Sequence, residues 1–160
     1  MVGAVVLVVP ILAVAAVPRA KLGSLAASNK STSGILTGAS SALPAGSGGE
    51  VSFIDIHYAS QSEGYAATRR IAAGLEVELT GFVTIASGAP PATFELTRFY
   101  VSCCAADAIP YSVTVEGPPG AYREDQWLRV KGALVSSDDG FLVDPDEIQV
   151  VAPPTNPYLY

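Results

Sequence analysis

Residues 74–85 read Gly74-Leu75-Glu76-Val77-Glu78-Leu79-Thr80-Gly81-Phe82-Val83-Thr84-Ile85, and this stretch decides the fold class. Successive side chains of an extended chain point to opposite sides. Leu75, Val77, Leu79, Gly81, Val83 and Ile85 therefore share one face, and Glu76, Glu78 and Thr80 take the other. Such alternation predicts a half-buried strand.

The same signal recurs toward the C-terminus. Gly88-Ala89-Pro90-Pro91 breaks the chain, and residues 94–103 read as a second strand, apolar on both faces after Arg98 and so placed in the middle of the sheet. Residues 112–116 form a third, closed by Gly117-Pro118-Pro119-Gly120. In residues 127–135 Leu128, Val130, Gly132 and Leu134 alternate with Arg129 and Lys131. Asp139-Gly140 is a hairpin signal before Phe141-Leu142-Val143, and residues 148–152 close the set. Short strands with a turn cue after each, and glycines at Gly81 and Gly132 where a small barrel must bend, predict a mainly β fold, a small OB-like antiparallel barrel. An open sandwich would alternate in the same way and differ only in strand pairing.

Toward the N-terminus the pattern changes. Residues 51–58 fit a strand or the start of a helix, and the alanine-rich piece over 64–73 fits a short helix. Residues 22–49 are dominated by Ser, Ala, Gly and Thr, too poor in large apolar side chains to offset the entropy of ordering them. Residues 2–17 carry no charge, a run slightly short of the roughly 20 apolar residues that span a bilayer as a helix. Pro10 is tolerable in lipid. Ala13-Val14-Ala15 resembles a signal-peptide cleavage site, but no basic segment precedes the apolar run, which favours an anchor. Arg19, Lys21 and Lys30 follow it, so the positive-inside bias puts the C-terminal side in the cytoplasm. The expected organisation is a transmembrane helix over 1–18, a Gly/Ser/Ala-rich flexible linker over 19–50 and a β-rich C-terminal domain over 51–160, single-pass in the cell membrane.

A net charge of -6 disfavours a sequence-independent grip on phosphate backbones, so nucleic acid is not an expected partner. His57 is the one histidine, and neither a Gly-x-Ser-x-Gly elbow nor a phosphate-cradling loop occurs, so the chain is not expected to be an enzyme. The acidic residues Asp138, Asp139, Asp144, Asp146 and Glu147 lack the spacing of a calcium loop and read as solvated turns. The densest reactive cluster is Cys103-Cys104-Ala105-Ala106-Asp107. Its adjacent cysteines cannot staple distant parts of a fold. Two accounts stay open: small thiols filling core with Asp107 capping the following turn, or Cys103, Cys104 and Asp107 binding a thiophilic ion such as zinc, with His57 joining only through folding. Arg98, inside an apolar strand, needs a carboxylate or a wet groove, and counts with the cluster as a binding candidate.

Several blocks together resemble the YcgQ-like family of bacterial membrane proteins: Gly81-Phe82-Val83, Phe94 with Arg98-Phe99, Cys103-Cys104-Ala105-Ala106-Asp107-Ala108, Trp127-Leu128-Arg129-Val130-Lys131-Gly132 and Asn156-Pro157-Tyr158-Leu159-Tyr160. The resemblance implies N-terminal membrane helices before a β-rich domain, encoded beside a polytopic permease. It brings no catalytic residues. Family members have two or more apolar segments where this chain has one, which fits a helix upstream of its first residue. Two functions follow as expectations. The first is a membrane-anchored accessory subunit of a permease whose barrel binds a partner protein or solute. The second is a thiol-based metal-binding or redox domain using Cys103 and Cys104.

Overall fold

Strand β1 (Glu76–Thr84) forms where the alternation is cleanest, burying Val77, Leu79 and Val83 while Glu76 and Glu78 face solvent. The computed structural model describes residues 23–31, 50–85, 92–118 and 120–159. In chain order the elements are α1 (Ser24–Ser31), α2 (Phe53–Gln61), α3 (Glu63–Arg69), β1, β2 (Thr93–Tyr100), a 3-10 turn (Ala105–Asp107), β3 (Ile109–Glu116), β4 (Trp127–Ser137), β5 (Gly140–Val150) and β6 (Tyr158–Leu159).

Following the hydrogen-bonded ladders from β1 leads through β4, β5, β3 and β2 and back to β1, so five strands close into a barrel. The fold is mainly β and the ring is complete, which an open sandwich is not. The expectation of purely antiparallel pairing is corrected at one seam, where β3 and β5 run parallel through Thr114↔Leu142 and Val115↔Val143. The reason is parity: strands that alternate in direction around a closed ring of five must meet one neighbour running the same way. Strand β6 lies parallel to β2 outside the ring, with Phe99 opposite Tyr158.

The barrel interior is built from the expected faces: Leu96, Val113, Val115, Leu128, Val130, Leu134 and Val143 are almost fully buried. Ile85 departs from its face and is 58% exposed, lying one residue past the end of β1. The piece over 141–143 and all but the last two residues of the piece over 148–152 belong to one strand, β5, which passes Asp144-Pro145-Asp146-Glu147 by a bulge. There Lys131 faces Glu147 and Gly132 faces Pro145, leaving Asp146 as the extra residue. A bulge is one of the few places where a strand tolerates a proline. Both expected bend glycines sit at close approaches. A Cβ on Gly132 would strike the Asp144 carbonyl, and one on Gly81 would lie 2.7 Å from the Thr97 carbonyl.

The piece over 51–58 is helical from Phe53 onward because Ser52 and Asp55 make a capping box. The Ser52 hydroxyl accepts from the Asp55 N–H at 3.3 Å, and the Asp55 carboxylate accepts from the Ser52 N–H at 2.9 Å. Helix α2 then drives Phe53, Ile54, Ile56 and Ala59 into the barrel core and packs across β3 and β5 together. Its Ser60 hydroxyl accepts from the Phe141 N–H at 3.1 Å. The helix therefore lies over the sparsely paired seam and holds it from one side.

The expected transmembrane helix over 1–18 lies outside the described residues. Among the described residues no helix is long and apolar enough to cross a membrane. Within the stretch expected to be a flexible linker, residues Ser24–Ser31 form helix α1, a local correction to that expectation. The reason lies in its seat: Phe82 of β1 and Phe99 of β2 point out of the barrel, and Ala27 packs on them in a second apolar cluster. Composition alone predicts no order for α1; the outward-facing aromatic pair, buried under it, supplies it.

Candidate metal centre

Residues 101–108 link β2 to β3, and the pair Tyr100↔Ile109 is the last rung before the loop. Val101 and Ala108 anchor its two ends in the second apolar cluster. Between them Asp107 organises the backbone: its carboxylate accepts the Cys103 N–H at 2.7 Å and the Cys104 N–H at 3.3 Å, one on each oxygen. Each carboxylate oxygen has a further lone pair, so the group can serve a ligand while it holds the loop.

Both thiols are free and exposed, so the core-filling account of the cysteines does not describe them, although the turn-capping expected of Asp107 is present. Cys103 Sγ and Cys104 Sγ stand 3.8 Å apart. One donor atom from each of Cys103, Cys104 and Asp107 falls within 4.8 Å of the others. The hydrogen bond to Asp107, helped by Cys104, pushes the Cys103 thiol up to about 11. The same contact and the backbone N–H groups hold Asp107 below the usual carboxylate range. The Cys103 thiol thus keeps its proton at neutral pH and donates it to the Asp107 carboxylate, and Cys103 is a poor free nucleophile there.

The other two candidates lie elsewhere. His57 sits on α2 with its ring edge-on to Tyr58 and Tyr111 and Nε2 2.8 Å from Gln61 Nε2. Burial pushes its pKa down. It is not among the donors that converge with the thiols. The carboxylate partner expected for Arg98 is replaced by main chain. Its guanidinium donates to the Asn156 carbonyl at 2.7 Å and the Pro157 carbonyl at 3.3 Å, and burial lowers its pKa. Arg98 thereby pins β6 beside β2, and the Leu159 carbonyl accepts the Val101 N–H at 3.2 Å, two residues before Cys103.

Sequence reasoning missed this clasp because carbonyl acceptors leave no mark in residue identity. Arg98→Ala is expected to free the tail and speed hydrogen exchange at the Val101 amide by about tenfold. The cost in global stability should be about 1–2 kcal/mol, in the range for partly exposed hydrogen bonds from a charged donor. Amide exchange followed by NMR, with urea unfolding of the same samples, checks both numbers.

Residues 48–160 match the family described as the DUF1980 C-terminal domain. The chain belongs to this family. The DUF1980 C-terminal domain thus covers α2, α3, the whole barrel and the thiol loop, and it leaves α1 outside. A comparison with curated proteins gives no match. What the family membership establishes is a β-rich C-terminal domain, here the closed five-stranded barrel.

Proposed function

We propose that this protein binds a thiophilic metal ion of the zinc class through Cys103, Cys104 and Asp107. In this reading its OB-like barrel serves as an accessory domain beside a membrane permease. The observation that carries the metal half is the sulfur separation. Two thiolates about 2.3 Å from a tetrahedral zinc stand about 3.8 Å apart, the edge of the tetrahedron, and the two Sγ atoms are 3.8 Å apart already. A disulfide would need them at about 2.05 Å. Two sulfurs and one carboxylate leave a fourth position for water or a second protein, which suits an ion that is taken up and passed on rather than one that staples a fold.

Zinc titrated into the full chain under reducing conditions should bind at one site per chain, and Cys103→Ser/Cys104→Ser should abolish that binding. Equal binding by the double variant would overturn the metal half. Because thiols must lose their protons to ligate, apparent affinity should rise by about tenfold per pH unit for each proton released below the thiol pKa. A zinc affinity flat between pH 6 and 8 would contradict ligation by the thiols.

The accessory half is supported by the likeness of the sequence blocks to the YcgQ-like proteins and by the uncharged run over 2–17. On this view the N-terminal segment tethers the domain to the membrane and raises the effective concentration of the barrel at its permease partner. A pull-down from native membranes should recover an integral membrane protein. Repeated recovery of none would count against this half alone.

A further inference from the structure

The loop that carries the three donors leaves and re-enters the barrel at the residues on which α1 rests. Ala27 of α1 shares one apolar cluster with Phe82, Phe99, Val101 and Ala108. Val101 lies two residues before Cys103, and Ala108 directly follows Asp107. A second tie holds the start of the helix, where the Asp125 carboxylate accepts the Ser24 N–H. The fit there is close, since a Cβ on Gly23 would lie 2.7 Å from Asp125 Oδ1.

The grip of α1 on the barrel is nevertheless slight. The helix has eight residues, well under the roughly 12–15 at which isolated helices become even marginally stable. Its Ala27 is 3% exposed, whereas Leu25, its largest apolar side chain, is 78% exposed. So α1 is helical only while seated, and seating and helix formation are one equilibrium. Leaving the seat uncovers part of the cluster of Phe82 and Phe99 and takes one packing partner from Val101 and Ala108 at the ends of the thiol loop, which the Tyr100↔Ile109 rung and the Leu159 carbonyl still hold. A loop held less firmly must be ordered again before two sulfurs and a carboxylate can meet one ion, and that ordering entropy lowers the affinity.

We infer that the seating of α1 and metal binding at Cys103, Cys104 and Asp107 are coupled. The ion is held more tightly when α1 is docked, and α1 is held more firmly when the ion is bound. The inference rests on the metal-binding reading of the thiol loop. It gives a role to the segment N-terminal to the family domain, because a pull on α1 from its N-terminal side weakens the site and releases the ion.

The test compares zinc affinity of the full chain, under reducing conditions and against a chromophoric chelator, for wild type, Ala27→Gln and Leu25→Gln. Ala27→Gln forces a longer amide into the apolar seat without adding charge that would itself attract or repel zinc. It should weaken zinc binding at least about fivefold, the lower end of ordinary coupling strengths. Leu25→Gln, on the solvent side of the same helix, should change it less than about twofold. Linkage requires the reciprocal effect in wild type. The amides of Ala26 and Ala27, which donate to the Gly23 carbonyl at 3.0 and 3.1 Å, should exchange more slowly by a similar factor when zinc is saturating.

If Ala27→Gln fails to fold, the wild-type exchange measurement decides. Cysteine-dependent zinc binding with equal affinity in Ala27→Gln, or with α1 exchange unaltered by zinc, overturns the coupling and leaves the metal site standing. Absence of cysteine-dependent zinc binding in wild type overturns the site and the coupling together.

Discussion

Asp55→Ala is expected to destabilise the protein by about 2–4 kcal/mol, read as a lower urea midpoint at unchanged slope. The Asp55 side chain is fully buried and is the hub of a saturated network. It accepts from the Ser52 hydroxyl at 2.7 Å, the Ser52 N–H at 2.9 Å, the Tyr65 hydroxyl at 2.8 Å and Arg69 Nε at 3.0 Å. Truncation leaves these donors without their acceptor and removes the carboxylate half of the capping box at the start of α2, while the Ser52 hydroxyl can still accept from the backbone N–H of residue 55. The figure stays below the range for a wholly buried pair because Arg69 is 34% exposed and water can take over part of its charge.

The same network sets an acid limit. Burial alone would raise the pKa of Asp55, but the hydrogen bonds from Ser52 and Tyr65 and the Arg69 charge outweigh it, and the pKa lies below its ordinary 3.8. A carboxylate held lower in the folded than in the unfolded state stabilises the fold fully above its unfolded value and stops doing so as pH falls through its folded value. Wild type should therefore lose this contribution below about pH 4, while Asp55→Asn, weaker at neutral pH, should show a shallower decline there. Parallel acid curves for the two proteins would refute the account.

The second large effect is expected at Gly132→Ala, at about 3 kcal/mol, the upper end of ordinary overpacking. A Cβ there meets the Asp144 carbonyl and lies 2.7 Å from Pro145 Cα, backbone atoms at the β5 bulge that cannot swing aside as a side chain would. The strand must shift to admit one methyl group, which loosens the β4–β5 ladder on both sides. Thermal unfolding checks the magnitude. Lost amide protection on β5, with protection on β2 and β3 retained, would locate the damage at the bulge.

Much of the barrel was legible because its strands have one face in the core and one in water. Leu128, Val130, Gly132 and Leu134 against Arg129 and Lys131 admit no other period. Legibility fails where that contrast fails. Asp144-Pro145-Asp146-Glu147 has the composition of a turn, and only pairing with β4 shows that the strand runs through it. Phe99 falls in the stretch read as apolar on both faces and Phe82 on the polar side of the β1 alternation, yet together they form the outer seat of α1, a helix whose Ser/Ala composition gives no hint of docking. At the thiol loop the residue types were visible, but not their exposure. Whether Cys103 and Cys104 face inward depends on β2 ending at Tyr100, three residues earlier than residue 103. The Ser52-x-x-Asp55 box, by contrast, stands in the sequence and would have settled strand against helix over 51–58.

The odd strand number has a mechanical sequel. Four sides of the cylinder are antiparallel ladders of three or more residue pairs, but the fifth is stitched by two. Warmed or stretched, the wall should unzip lengthwise along that line first, and the clamp exerted there by α2 sets how readily it gapes.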